Sequence, residues 1–297
     1  MMTLQEKLYK PIVKNGDYLF RDVFTFEYPV EIHFTRMEEF DDSNAFKVLV
    51  LSNESYLSPN RANIESVIKN QSKYDLILCS DSDILNNCCN SVLFLYGSTW
   101  LNRGSIEHPD GLGLYDKNCS VFSPQSKKFG VSFLASWYNI DRPGYKIRHD
   151  IWENQNKITI PKSFYTSIKS FASAPNPLPN GEKESLFESL YHICIENRSV
   201  ENYFTEKIVD CFLTETIPIY WGCPNIEKYF NTDGIIFFRS INDLVEKINN
   251  LTPDFYHDRL NIIHENKNKA IELANFDERI CEKIRLYYDR ANNKNKR

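Results

Sequence analysis

No run of this chain is long and apolar enough to span a bilayer, and the N-terminus lacks the apolar core of a signal peptide. The expected setting is therefore cytoplasmic, and the abundance of Asn, Lys and Ile fits an AT-rich bacterial or viral genome. A basic tract is missing except for the short tail after Arg290, and the net charge is −5, which disfavours nucleic-acid binding. Internal repeats and long low-complexity segments are absent, so solenoid and linker architectures are excluded. The eight cysteines show neither metal-ligand nor disulfide spacing, with Cys88 and Cys89 simply adjacent, so reduced thiols are expected. Asn197-Arg198-Ser199 has the letters of a glycosylation sequon, and a sequon inside a binding junction also argues against the secretory pathway.

What is present is ordinary globular material in sufficient amount. The 297 residues, 42% hydrophobic and 25% charged, can bury two domains. Seventeen Tyr and 20 Phe are a high aromatic load, suited to cores and to stacking on bases and sugars. In the first half, short apolar or alternating runs at Val30–Phe34, Phe46–Leu51, Leu76–Cys79 and Ser91–Tyr96 read as strands, with a helix over Asn63–Lys69 between them. Strands alternating with helices predict a Rossmann-like domain over residues 1–124. A loop rich in Gly, Pro and Asp, Asn102–Asn118, follows. Lys127–Ala135 opens a second α/β unit, residues 125–275, with a helix over Tyr145–Glu153 and a Pro-rich loop at Pro175–Gly181. After Asp243 the pattern is helical, ending in a helix from Phe276, in the segment 276–297, that could return to the first domain.

Tyr191–Tyr229 concentrates the chemistry. Leu190–Ile195 is short, apolar and β-compatible, so Glu196 and Asn197 fall at the carboxyl end of a strand. Thr205 can cap the next helix, with Glu206 and Lys207 in its first turn and Ile208, Cys211 and Phe212 on a buried face. A Lys beside a helix N-terminus opposes the macrodipole, so a bound anion would account for it; a Glu there can accept hydrogen bonds from sugar hydroxyls. The plainer alternative makes Glu206 a helix-end carboxylate and Lys207 a solvated side chain.

The segment NRSVENYFTEKIVDCFLTETIPIYWGCPN resembles the signature of the family 10 glycosyltransferases, the α-1,3-fucosyltransferases. Asn197, Tyr203, Thr205, Glu206, Lys207, Pro218, Trp221, Gly222 and Pro224 stand at the family's spacing. The close resemblance runs from Lys127 to about Phe238, and the first half matches only loosely. It implies an α/β fold of GT-B type, two Rossmann-like domains facing across a cleft. It further implies an inverting, metal-independent enzyme that moves fucose from GDP-fucose to a hydroxyl of a glycan acceptor. Animal members of the family carry a membrane anchor, which this sequence lacks.

The resemblance also implies roles for single residues. Arg148, or its neighbours Lys146 and Arg142, contacts the donor diphosphate, a task suited to the planar guanidinium fork; the alternative is an exposed basic turn. Lys207 neutralises the same leaving group, Glu206 holds ribose hydroxyls, and Asn197, Tyr203 and Thr205 complete the nucleotide-sugar site. An inverting transfer needs a base for the acceptor hydroxyl. Glu54 in Asn53-Glu54-Ser55-Tyr56, after KVLVLS, is the candidate, although the Pro that follows Glu-Ser in the family is displaced to Pro59. Asp81, Asp83 and Glu107 are its rivals. Asp81-Ser82-Asp83 has the letters of a metal-binding motif but lies in the first domain, so no metal cofactor is expected. Three readings stay open: a transferase for another nucleotide sugar, a non-catalytic nucleotide- or carbohydrate-binding protein, and a purely structural α/β protein in which Trp221 and its apolar neighbours are core.

Overall fold

In the computed structural model the structure describes residues 8–14, 24–51, 63–101, 127–136, 142–167, 176–179 and 183–294. The chain divides into two compact units, Met1–Tyr96 with Phe276–Arg297, and Gly97–Asn275. The boundary expected near Pro124 falls within a stretch outside the described residues.

The first unit holds five parallel strands in spatial order β1-β2-β3-β4-β5: β1 (Ile12–Lys14), β2 (Val30–Phe34), β3 (Phe46–Val50), β4 (Leu76–Cys79) and β5 (Ser91–Leu93). The central strands read as nearly continuous apolar runs because a parallel sheet is covered on both faces; β2 and β4 are buried along their whole length. Glu31 and His33 interrupt that pattern in β2. Their burial is tolerable because the Glu31 carboxylate accepts from the Asp41 and Asp42 amides and lies 2.9 Å from His33 Nε2, while His33 Nδ1 meets the Tyr74 hydroxyl at 3.1 Å.

Helix α1 (Ile64–Lys69) starts at Asn63, whose side chain accepts from the Ser66 amide, and α2 (Ser82–Asn87) starts at Asp81, which accepts from the Asp83 and Ile84 amides. Asp81 is thus occupied as a helix cap. The final helix, Phe276–Lys294 (α8), belongs to this unit: Phe276, Ile280, Cys281 and Ile284 are buried in one cluster with Val30, Ile32, Val48, Val50, Leu76 and Leu78.

The second unit has a parallel sheet in the order β10-β9-β8-β6-β7. Its elements are β6 (Lys128–Ala135), α3 (Pro143–Glu153), β7 (Lys162–Thr166), β8 (Ser189–Ile195), α4 (Glu206–Leu213), β9 (Ile217–Trp221), β10 (Ile236–Phe237), α5 (Ile241–Asn249), α6 (Pro253–His257) and α7 (Leu260–Ala274). From β6 the chain goes to β7 on one side; β8, β9 and β10 then build outward on the other. The order reverses between β6 and β8, and ligands of open α/β sheets bind outside the carboxyl ends of the strands at such a reversal.

Candidate functional site

The reversal between β6 and β8 brings together the two segments that carry the candidate residues. Helix α3 begins with Pro143 at its first position, where a missing N–H costs nothing. It lies so close to the exit of β8 that a Cβ on Gly144 would come within 1.9 Å of the Glu196 carbonyl oxygen and 2.9 Å of Asn197 Cα. The Gly144 amide donates to the Asn197 carbonyl at 3.3 Å. One turn later Arg148, 4% exposed, donates from Nη2 to the Ile195 carbonyl and to Asn197 Oδ1 (2.8 Å), and from Nη1 to the Ser136 carbonyl (3.4 Å). Its guanidinium carbon stands 4.8 Å from the centre of the Tyr145 ring. Arg148 is therefore a brace across the reversal, not an exposed basic residue; among the described residues three of its five N–H donors are spent. Lys146 is exposed, and Arg142 is the residue that precedes the helix.

After β8 the chain enters a buried ionic cluster. Glu196 is fully buried, and its two carboxylate oxygens accept from the Thr205 amide and hydroxyl, each at 2.8 Å. Thr205 also caps α4, accepting from the Lys207 amide. Lys207 Nζ lies 3.0 Å from Thr205 Oγ1, 3.4 Å from Glu206 Oε1 and 3.6 Å from Glu196 Oε2. Lys207 is therefore not the solvated side chain of the plainer alternative: two carboxylates lie beside its ammonium at the helix N-terminus. Tyr203 is 1% exposed, held in the loop between β8 and α4.

Three residues that complete the cluster, Lys183, Thr99 and Trp100, lie outside the local motif. Lys183 Nζ lies 3.3 Å from Glu206 Oε1, 3.8 Å from Asp210 Oδ2 and 4.6 Å from the centre of the Trp100 ring. Asp210, fully buried, accepts from Thr99 Oγ1 at 2.6 Å and from the Trp100 amide at 3.1 Å. A signal for Lys183 did exist: Glu206 and Asp210 stand four apart on one helix face, where like charges destabilise unless a cation lies between them.

The electrostatics separate the three carboxyls. Burial pushes Glu206 upward, but Lys207 and Lys183 outweigh it and bring the group down to about 2. Burial prevails at Glu196, raising it against the pull of Lys207, and at Asp210, which is pushed up to about 7. Glu206 is thus the firmly ionised member. Both lysines reach its Oε1, and neither holds Oε2.

The turn after β9 closes the arrangement. A Cβ on Gly222 would meet Tyr220 Oη at 2.4 Å and Glu196 Cγ at 2.6 Å, so only glycine fits beside the buried carboxylate. Asn202, at φ 60°, exchanges hydrogen bonds with Asn225 (2.8 and 2.9 Å) and accepts from the Tyr229 hydroxyl, tying the loop after β8 to that turn. Among the sequence-based candidates, Arg148, Asn197, Tyr203, Thr205, Glu206 and Lys207 all lie on α3 or the β8–α4 junction. Glu54 and Glu107 lie outside the described residues.

No family model matches the chain. Over 161 residues, 52% of this chain and 29% of the other, it is 28% identical to the α-(1,3)-fucosyltransferase FucT of Helicobacter pylori. It is 27% identical over 176 residues, 53% of this chain and 25% of the other, to a candidate fucosyltransferase of Acanthamoeba polyphaga mimivirus. The matched stretch therefore spans under a third of either curated relative. A solved α1,3-fucosyltransferase structure aligns with a TM-score of 0.51 at 19% identity, covering 87% of this chain and 76% of that one. The chain is thus similar to the family 10 fucosyltransferases, and its fold is α/β of the GT-B type, with two five-stranded parallel sheets.

Proposed function

We propose that this chain is a glycosyltransferase that moves fucose from GDP-fucose to a hydroxyl of a glycan acceptor, with inversion and without a metal. The observation that carries the reading is the Glu196–Thr205–Glu206–Lys207 cluster at the carboxyl end of β8, beside the strand reversal, within a segment similar to fucosyltransferases.

In this reading the second unit holds the donor. Glu206, ionised and with Oε2 held by neither lysine, accepts from the ribose hydroxyls. Asn197 and Tyr203 orient the sugar or its phosphate. The two lysines and the two carboxylates Glu196 and Glu206 nearly cancel, so Arg148 carries the surplus positive charge for the diphosphate, together with Lys207. The acceptor oxygen forms its bond to the anomeric carbon as the bond from that carbon to the β-phosphate oxygen breaks. Glu54 takes the acceptor proton, and the cations stabilise the departing GDP.

The test is a panel of GDP-fucose, GDP-mannose and UDP-sugars, followed by binding and by slow hydrolysis. GDP-fucose should be preferred; a clear preference for a UDP-sugar overturns the donor assignment. Tight GDP binding with neither transfer nor hydrolysis supports a binding protein instead. Turnover should survive EDTA, and a loss that Mn²⁺ restores would refute the metal-free route. Glu54→Ala should abolish transfer while GDP still binds.

A further inference from the structure

We propose that Lys183 is a positioning residue of the donor site: it holds Oε1 of Glu206 so that Oε2 is presented to the ribose hydroxyls of the nucleotide. The inference rests on the reading of Glu206 as the ribose acceptor.

Its geometry is independent of the motif. Lys183 comes from the segment before β8, ahead of the Asn197–Pro224 signature. Side-chain exposures of 17% for Lys183 and 10% for Glu206 leave little room for rearrangement. A single lysine on Glu206 would leave the carboxylate free to turn about its terminal torsion, which is broad and two-fold. Two ammonium groups on the same oxygen, at 3.3 and 3.4 Å, remove that freedom. Lys183 is itself fixed at a second point by Asp210, which the Thr99 hydroxyl and Trp100 amide hold from the other side, and by the Trp100 ring over its ammonium. The chain of support runs from the segment after β5 through Asp210 and Lys183 to one oxygen of Glu206.

The experiment compares GDP with 2′,3′-dideoxy-GDP by calorimetry. Wild type should prefer GDP by roughly tenfold to a hundredfold, the range for a hydrogen bond to a charged group. Lys183→Met should bring that ratio toward one, whereas Lys183→Arg should keep a clear preference. A role in stability alone would weaken both nucleotides together and leave the ratio intact, so an unchanged ratio in Lys183→Met overturns the proposal. Should that variant not fold, Asp210→Asn frees Lys183 from its second anchor; the ratio should fall, and full retention overturns the proposal equally. The underlying reading is separately exposed. If wild type binds GDP without preferring it to the dideoxy form, or fails to bind GDP, the ribose assignment of Glu206 fails and this inference with it. If Glu206→Gln loses the preference and Lys183→Met keeps it, the assignment stands and only the positioning role is lost.

Discussion

At Glu206 burial and two ammonium groups pull in opposite directions, and the ammonium groups prevail, so the carboxyl titrates near 2. Its folded value lies below the unfolded one, so its stabilising contribution is complete above about pH 4.5 and is lost only as pH falls toward 2. Glu206→Gln should weaken GDP binding roughly tenfold to a hundredfold, and the ratio of wild type to variant should stay constant between about pH 5 and 8. Two other buried groups act on stability with opposite signs. His192, beside Ser132 Oγ at 2.8 Å, is driven by burial down to about 3, so the unfolded chain binds the extra proton and stability falls as pH drops from 6.5. Asp210 is raised to about 7, so here the folded chain binds the extra proton and stability falls as pH rises from 3.8. Urea midpoints across this window should show a shallower acid limb for His192→Asn and a shallower alkaline decline for Asp210→Asn. Of the candidate residues, those within the motif could be grouped from the sequence because strand, cap and helix lie in one short stretch. Lys183, Thr99 and Trp100 could not, since their partnership with Glu206 and Asp210 is made only by the tertiary fold.

Among the elements, α4 depends on both of its ends. Thr205 serves the helix and Glu196 at once, so Thr205→Ala should cost more than an ordinary cap, about 2 kcal/mol or above, with Thr205→Ser recovering most of it on urea unfolding. At the other end Glu215 takes a left-handed conformation, φ 55°, in a motif where the Thr216 amide returns to Cys211 and the Glu215 amide to Phe212; Lys267 holds its side chain at 2.6 Å. Gly144→Ala should destabilise by about 1–3 kcal/mol, because backbone atoms of Glu196 and Asn197 must give way, and should weaken GDP binding along with stability. Strands with buried flanks were legible: Val30–Phe34 and Leu76–Cys79 have the bounds their apolar runs predict. β1, β7 and β10 escaped the sequence reading because each lies at a sheet edge and is short or polar, as in KSFYT at Lys162–Thr166.

For the whole molecule, the division into two units means that damage to one core need not reach the chemistry of the other. Ile280→Ala, in α8, should destabilise the first unit by about 2–4 kcal/mol while leaving the dissociation constant for GDP unchanged, which urea unfolding and calorimetry together would show. The helical character of the C-terminal segment could be read from its periodicity, but its place in the first core could not, because nothing local in Phe276, Ile280 or Ile284 names the strands they cover. That placement has a consequence for synthesis. A ribosome releases β1 to β5 long before the helix that completes their core, whereas every part of the second unit emerges in one uninterrupted stretch. The usual order, N-terminal domain first, is therefore inverted: the middle of the chain can fold while its beginning still waits for its end.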